Sequence, residues 1–365
     1  MTDSRQTSSR VGGTVRVVGS GLLGASVGLG LRARGVDVVV ADASRAAARL
    51  AIDYGAGRAP AADDRPGLVV VAVPPDATAE VVAAELAAFP DALVTDVASV
   101  KAAPLAELEA LGADLSRYVG SHPLAGRERG GAISARADLF LGRPWVVCTR
   151  EGVPRTRASL VEQLALDLGA IPVEMDAAQH DQAVALVSHT PQLVSTLMAR
   201  RLAGATDAAL GLAGGGVRDV TRVASSDPAL WVQILAANAG AVAGILRAYR
   251  ADLDEVIGAL ERVDEPGSRR ALAETLAGGN AGVARLPGKH GQDRRFTSVV
   301  VLIDDKPGEL GRLFTELGEL DINIEDLRLE HSPGAQIGIA ELAVLPEALQ
   351  RTVADLTARG WRIAG

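Results

Sequence analysis

Val15-Arg16-Val17-Val18 runs straight into Gly19-Ser20-Gly21-Leu22-Leu23-Gly24, a G-x-G-x-x-G sequence set between a β-branched run and an uncharged stretch of helical composition. A strand that turns at glycine and opens a helix is the start of a βαβ unit. Gly19 permits the tight turn, Gly21 lets backbone approach a pyrophosphate, and Gly24 lets the helix pack close to the strand. Leu22 and Leu23 open that helix, whose unbonded N–H groups can receive phosphate. The next β-branched run ends in Asp42, 18 residues after Gly24, where a carboxylate can hold both ribose hydroxyls. Strand, glycines, helix, strand and acid in this register read as a dinucleotide site. A 2′-phosphate would meet the Asp42 carboxylate, so NAD is favoured. Ser44-Arg45 directly after it keeps NADP as the weaker alternative.

The same alternation continues. Val15–Val18, Val36–Ala41, Leu68–Val73, Ala92–Asp96, Trp145–Cys148 and Ile171–Glu174 are short extended runs separated by Ala-rich segments of helical period. That pattern predicts an α/β, doubly wound, mostly parallel sheet over residues 14–175, after a polar disordered tail at 1–13. Val73-Pro74-Pro75 and Asp96-Val97-Ala98-Ser99 end two of these strands, so Pro74 and Ser99 should line the crevice beyond the strand ends. From residue 176 to 280 the strands stop. Helical segments are predicted at Ala177–Leu202, Pro228–Arg250 and Asp252–Ala277, an all-helical domain whose small side chains suit close approach across a homodimer. Asp227-Pro228 reads as an N-cap followed by proline at the first helical position. Residues 281–295 read as a linker. Residues 296–365 then give βαββαβ, the ferredoxin-like order.

Composition removes several function classes. With 37 Lys+Arg against 45 Asp+Glu the chain carries −8, and it has only 3 Trp, 3 Tyr and 4 Phe. Neither a phosphate-backbone partner nor a base-stacking platform fits that balance, so no nucleic acid is expected. One cysteine, Cys148, excludes an internal disulfide or CxxC metal site and points to a reducing compartment, here the cytoplasm. It ends an apolar run and reads as a strand thiol. Val17–Leu31 lacks charge but holds five glycines and no cleavage signature, so it is not read as a leader. No apolar run is long enough to predict a membrane span. Of 37 cations only Lys101, Lys289 and Lys306 are lysine.

Five histidines are available for proton transfer near neutral pH. His290 falls in the linker and His331 in the last domain. His122 lies in Gly120-Ser121-His122-Pro123-Leu124-Ala125-Gly126, read as a loop after an extended run. His180 and His189 are nine residues apart on one predicted helix. At about 100° per residue they face opposite sides, which argues against a shared metal ion. His189 precedes Thr190-Pro191, where proline breaks the hydrogen-bond ladder, and is preferred to His180 as a functional group. Arg222 precedes the Asp227 cap and suits a carboxylate ligand.

Together these motifs resemble the prephenate dehydrogenase family of tyrosine biosynthesis. The resemblance rests on Gly19–Gly24, Asp96–Lys101, Gly120–Gly126, His180-Asp181 through Ser188-His189-Thr190-Pro191, and Thr221–Trp231. The last unit resembles an ACT domain through Asp305–Leu310 and Asp321–Ile324. The resemblance implies a Rossmann-type domain, a helical dimerisation domain and a regulatory ACT domain in a cytoplasmic homodimer. It further implies NAD-dependent oxidative decarboxylation of prephenate to 4-hydroxyphenylpyruvate. His122 would accept the 4-hydroxyl proton, Ser99 would hold that hydroxyl and His122, and Lys101 would support them. His189, Arg222 and Gln192 would contact substrate. Many relatives carry histidine where Gln192 stands, so arogenate, with an ammonium on its side chain, is the alternative substrate. The ACT resemblance implies an amino-acid effector, L-tyrosine, near Pro307, Gly308, Asn323 and Ile324. Two other readings compete: a β-hydroxy-acid dehydrogenase, which would need a catalytic lysine that residues 102–288 lack, and a non-catalytic NAD and amino-acid sensor.

Overall fold

A computed structural model describes residues 9–126, 130–286, 296–331 and 337–364. The expected linker stretch 287–295, with His290, and the side chain of His331 lie outside the described set. The chain forms two compact units, one of residues 1–196 and 223–248, the other of 197–222 and 249–365.

The first unit is built on seven strands: β1 (Thr14–Val18), β2 (Asp37–Ala41), β3 (Pro66–Val71), β4 (Leu93–Asp96), β5 (Tyr118–Pro123), β6 (Pro144–Cys148) and β7 (Ile171–Met175). Their order is β2-β1-β3-β4-β5-β6-β7. The strands β1 to β5 are parallel; β6 runs antiparallel to β5, and β7 parallel to β6. The order reverses between β1 and β3, and ligands of open α/β sheets bind beyond the strand ends at such a switch point. Side chains alternate across the sheet, and helices cover both faces. Val15, Val17, Leu68, Val70 and Trp145 enter one buried cluster, while Val69, Val71, Val94 and Tyr118 enter another.

Two sequence expectations change here. Residues 118–123 are a strand, so His122 sits within β5, paired with Val146, and not in a loop. Gly120 and Pro123 hide that strand, because both residue types are depleted in sheets. Residues 9–13 are not a free tail. Asp167 Oδ2 accepts from Ser9 Oγ at 2.6 Å, Arg10 N at 2.7 Å and Val11 N at 3.0 Å, and Val11 joins the core.

The expected helix Ala177–Leu202 forms, opened by a capping box between Asp176 and Gln179, but it is not regular. Residues Ala185–His189 make a π turn between Ala177–Val184 and Thr190–Leu202. Pro191 has no N–H for the preceding turn, and the ladder widens there. Pro228–Arg250 is also two helices, Pro228–Ala237 and Ala239–Glu261, broken at Asn238. The helix expected at Asp252–Ala277 is interrupted. A new helix, Ser268–Val283, starts after Glu265-Pro266-Gly267, with Gly267 at φ +96°, and it runs on into the stretch read as linker. Among the described residues no single helix is long and apolar enough to cross a membrane.

The second unit contains a four-stranded antiparallel sheet of β8 (Thr297–Asp304), β9 (Asp326–His331), β10 (Ile337–Val344) and β11 (Arg362–Ala364), in the order β11-β8-β10-β9. Helices Glu309–Glu319 and Leu349–Ala358 complete βαββαβ. One face of β8 is buried, and Val299, Val301 and Ile303 pack with Leu313, Leu317, Leu356 and Trp361.

Candidate active site

The glycine loop follows the chemistry its spacing demands. Gly19 has φ +98°, and a Cβ there would stand 2.3 Å from the Ala72 carbonyl oxygen. At Gly24 a Cβ would meet the Gly19 oxygen at 1.9 Å, whereas nothing lies within 4 Å of one at Gly21. Two glycines therefore serve packing, and Gly21 faces open space. The helix that follows, Leu22–Arg32, has neither a side-chain cap nor an acid in its first turn. Its free N–H groups and positive end fit a pyrophosphate. Asp42 lies at this loop: its Oδ2 accepts from Ser20 N and Ser20 Oγ, both at 2.7 Å, and its Oδ1 from Ser44 N at 2.8 Å. Burial alone would raise its pKa, but the bonds from Ser20 and Ser44 outweigh that and hold the carboxyl below its usual range. Pro74 is exposed at the turn Pro75–Ala77, against which the helix Pro228–Ala237 packs.

Beyond β4 the chain builds a buried ion pair. Asp96 and Lys101 are 0% and 1% exposed, and the ammonium meets the carboxylate. Lys101 Nζ also donates to Ser121 O at 2.7 Å, and Tyr118 OH donates to Asp96 Oδ2 at 2.7 Å. Burial, then the Asp96 charge, pushes the Tyr118 hydroxyl well above its ordinary value. The support expected of Lys101 is thus a fully paired internal charge. Ser99 is half-buried in the connection from β4 to the helix Ala102–Ala110. Among the described residues it makes no hydrogen bond to His122; the expected Ser99–His122 contact is absent.

The partner of His122 is His180, the histidine to which His189 is preferred on sequence because of its proline break. His122 Nδ1 lies 2.9 Å from His180 Nε2, and His180 Nδ1 lies 2.8 Å from Asp181 Oδ1. Asp181 is anchored in turn by the backbone N–H groups of Lys101 and Ala102, at 2.8 and 2.9 Å. Burial, then His180, Lys101 and His189, hold the His122 pKa well below 6.5. His122 is therefore a neutral imidazole at pH 7. For Asp181 burial acts upward, but the bonds from His180, Ala102 and Lys101 bring the carboxyl below its usual range.

His189 is also buried, and burial pushes its pKa down to about 4. Asn238 Nδ2 reaches both Asp181 O at 2.7 Å and His189 Nδ1 at 3.2 Å. That amide fills Nδ1 and leaves Nε2–H of a neutral His189 as a donor. Its ring stands edge-on to Trp231, 6.0 Å between centroids. Gln192 Nε2 donates to Ser226 Oγ at 2.6 Å. The first unit thus gathers His122, His180, Asp181, His189, Asn238 and Gln192. Asn238 carried no signal in sequence beyond its place in a helix. Arg222 is exposed at the turn Arg222–Ala224 and belongs to the second unit. Cys148 is inert, because burial pushes its thiol up to about 12.

In the second unit Pro307 and Gly308 line a cavity of about 410 Å³ with Asp304, Lys306, Leu329 and Ile339. Gly308 is the uncapped N-cap of its helix at φ +92°. Asn323 does not line this cavity. Its amide donates to Glu325 Oε1 at 2.6 Å, before β9 begins, and neighbouring Ile324 packs against the core.

The family described as prephenate dehydrogenase, nucleotide-binding domain, matches residues 27–173. That described as prephenate dehydrogenase, dimerization domain, matches residues 176–277. A probable prephenate dehydrogenase of Streptomyces niveus is 36% identical over 95% of this chain and 98% of its own length. The crystal structure of prephenate dehydrogenase from A. aeolicus, in complex with hydroxyphenyl propionate and NAD+, is 26% identical with a TM-score of 0.65, over 74% of this chain and 98% of that one. Synechocystis arogenate dehydrogenase is 28% identical with a TM-score of 0.62, over 74% and 99%.

Proposed function

This chain belongs to the prephenate dehydrogenase family, and we propose that it oxidises prephenate with NAD+ to 4-hydroxyphenylpyruvate, CO2 and NADH. The observation that carries the reading is His122: a neutral, buried imidazole at the carboxyl end of β5, on the same sheet edge as the glycine loop after β1. Three strand spacings of about 4.8 Å separate them, roughly 14 Å, a span suited to an extended dinucleotide lying across the strand ends. Residues 19–24 and Asp42 would hold the dinucleotide, which when bound supplies the hydride acceptor.

His122 takes the 4-hydroxyl proton as C4 gives up its hydride, leaving a dienone. The bond from the ring to its carboxylate then breaks, CO2 departs, and the electron pair aromatises the ring. The resulting phenolate recovers the proton from His122. Ser99 binds the hydroxyl from the loop beside β5, and His189 Nε2–H takes a substrate carboxylate or carbonyl oxygen; Arg222, carried by the family resemblance alone, is assigned to a substrate carboxylate. Replacing His122 by Asn should lower kcat about 10²–10⁴-fold with KM within a few-fold. Turnover equal to wild type would refute the assignment.

Gln192 favours a second reading. With its Nε2 spent on Ser226, it offers Oε1, an acceptor suited to an ammonium. Arogenate would present that ammonium, and comparing kcat/KM for the two substrates decides between them. The helical segment would pair two copies into a homodimer, in keeping with the dimerization-domain match over 176–277. One free, inert cysteine fits a cytoplasmic setting. The C-terminal βαββαβ unit would act as an ACT-type regulatory domain, with L-tyrosine bound at the Pro307-Gly308 cavity. Deleting residues 296–365 should abolish tyrosine inhibition and spare turnover. Equal inhibition of the shortened chain would place the effector elsewhere.

A further inference from the structure

We propose that Asp181 and His180 are positioning residues that fix the proton of His122 on Nδ1 and so leave the Nε2 lone pair for the substrate hydroxyl. The inference rests on His122 being the base and adds what makes it one. A buried imidazole has two neutral forms, and only one of them accepts a proton at a given nitrogen.

For two neutral rings the hydrogen bonds leave a single arrangement. Asp181 accepts from the backbone N–H groups of Lys101 and Ala102, so its oxygens face donors and carry the negative charge. These groups begin the helix Ala102–Ala110, whose N-cap residue Lys101 supplies no side-chain cap of its own, so Asp181 fills that place from a distant helix. Against a carboxylate, His180 Nδ1 at 2.8 Å must be the donor. With one proton per ring, His180 Nε2 is then an acceptor. His122 Nδ1, 2.9 Å away, must be the donor to it. What remains on His122 is an unprotonated Nε2.

The same chain serves the reaction. When Nε2 receives the hydroxyl proton, the imidazolium already donates Nδ1–H to His180, and the Asp181 charge stands behind it. No group has to turn while charge develops. His180 is fully buried and Asp181 nearly so, and water does not compete for these bonds. Asn238, bonded from one amide nitrogen to Asp181 O and His189 Nδ1, ties the main chain at Asp181 to the neighbouring polar group.

The test combines a spectrum and two variants, read beside His122→Asn. Long-range ¹H–¹⁵N spectra of the histidine-labelled full chain near pH 7.5 should show His122 as the Nδ1–H form. The Nε2–H form would overturn the proposal, and this measurement needs no variant to fold. Asp181→Asn puts an amide donor into an all-acceptor position, and His180→Phe removes the acceptor facing His122. Either should lower kcat about 10²-fold or more, with the KM values for substrate and NAD+ within threefold, as expected when a base is left in the wrong tautomer. A folded variant whose kcat stays within threefold of wild type, or whose loss lies in KM alone, would overturn it. If His122→Asn loses turnover while these variants keep it, the positioning role alone fails. If His122→Asn keeps turnover, the base assignment fails and the positioning role falls with it.

Discussion

Replacing Lys101 by Met should cost the first unit about 3–5 kcal/mol, the range for removing one partner of a buried ion pair. Both partners are essentially inaccessible, at 1% and 0% exposure, so solvent cannot take over from the ammonium. The substitution leaves Asp96 with Tyr118 OH and the Ala98 N–H as donors, and leaves Ser121 O without its ammonium partner. With a urea slope of about 2–3 kcal/mol per molar, the loss corresponds to a midpoint shift of roughly 1–2.5 M. Tryptophan fluorescence reports on this unit through buried Trp145 in β6. The double variant Lys101→Met/Asp96→Asn should recover part of the loss, since the orphan charge is gone; a double-mutant cycle measures that coupling. A single-variant shift below about 0.3 M, or strict additivity in the cycle, would refute the buried pair.

Because the His122 and His189 pKa values are depressed in the fold, both imidazoles stay neutral as pH falls below their unfolded value of 6.5. Stability from them should be complete above about pH 6.5 and decline on acidification toward pH 4, and the acid limb of kcat should lie well below pH 6.5. Gly24→Ala should abolish NAD+ binding, because its Cβ would fall 1.9 Å from backbone oxygen; unchanged affinity by fluorescence titration would contradict the packing. Asp42→Ser should shift preference toward NADP, and an unchanged NAD to NADP ratio of kcat/KM would remove Asp42 from the ribose. Arg222→Ala should raise substrate KM by the equivalent of about 1.5–3 kcal/mol with cofactor KM constant; a collapse of NAD+ affinity instead would assign Arg222 to the cofactor.

What was legible in sequence followed from local rules. The glycine loop is one, because each glycine answers a steric demand that spacing alone encodes: the 2.3 and 1.9 Å approaches at Gly19 and Gly24, and open space at Gly21. The six β-branched runs all became strands. β5 stayed hidden because Gly120 and Pro123 mimic a loop, while its pairing is set by neighbours far along the chain, Val94 to Asp96 and Trp145 to Val147. The residues 9–13 likewise looked free until Asp167, more than 150 residues away in sequence, supplied their acceptor.

His180 shows where a regular-helix reading misleads. Nine residues at about 100° put His180 and His189 on opposite faces, which argues against a shared metal ion, and the proline break favours His189 over His180. The argument assumed a straight α-helix. The last five residues of that span, Ala185–His189, wind as a π turn, in which each residue advances by a smaller angle. The phase is no longer a half turn, and Asn238 can bridge from Asp181 to His189. The signal for this was present at Pro191, read as a kink and not as a change of pitch. A proline shortly after a histidine pair on a helix deserves a second phase calculation before either residue is dismissed. Here the overlooked member is the one bonded directly to His122, and a π turn frequently marks a functional segment of a helix.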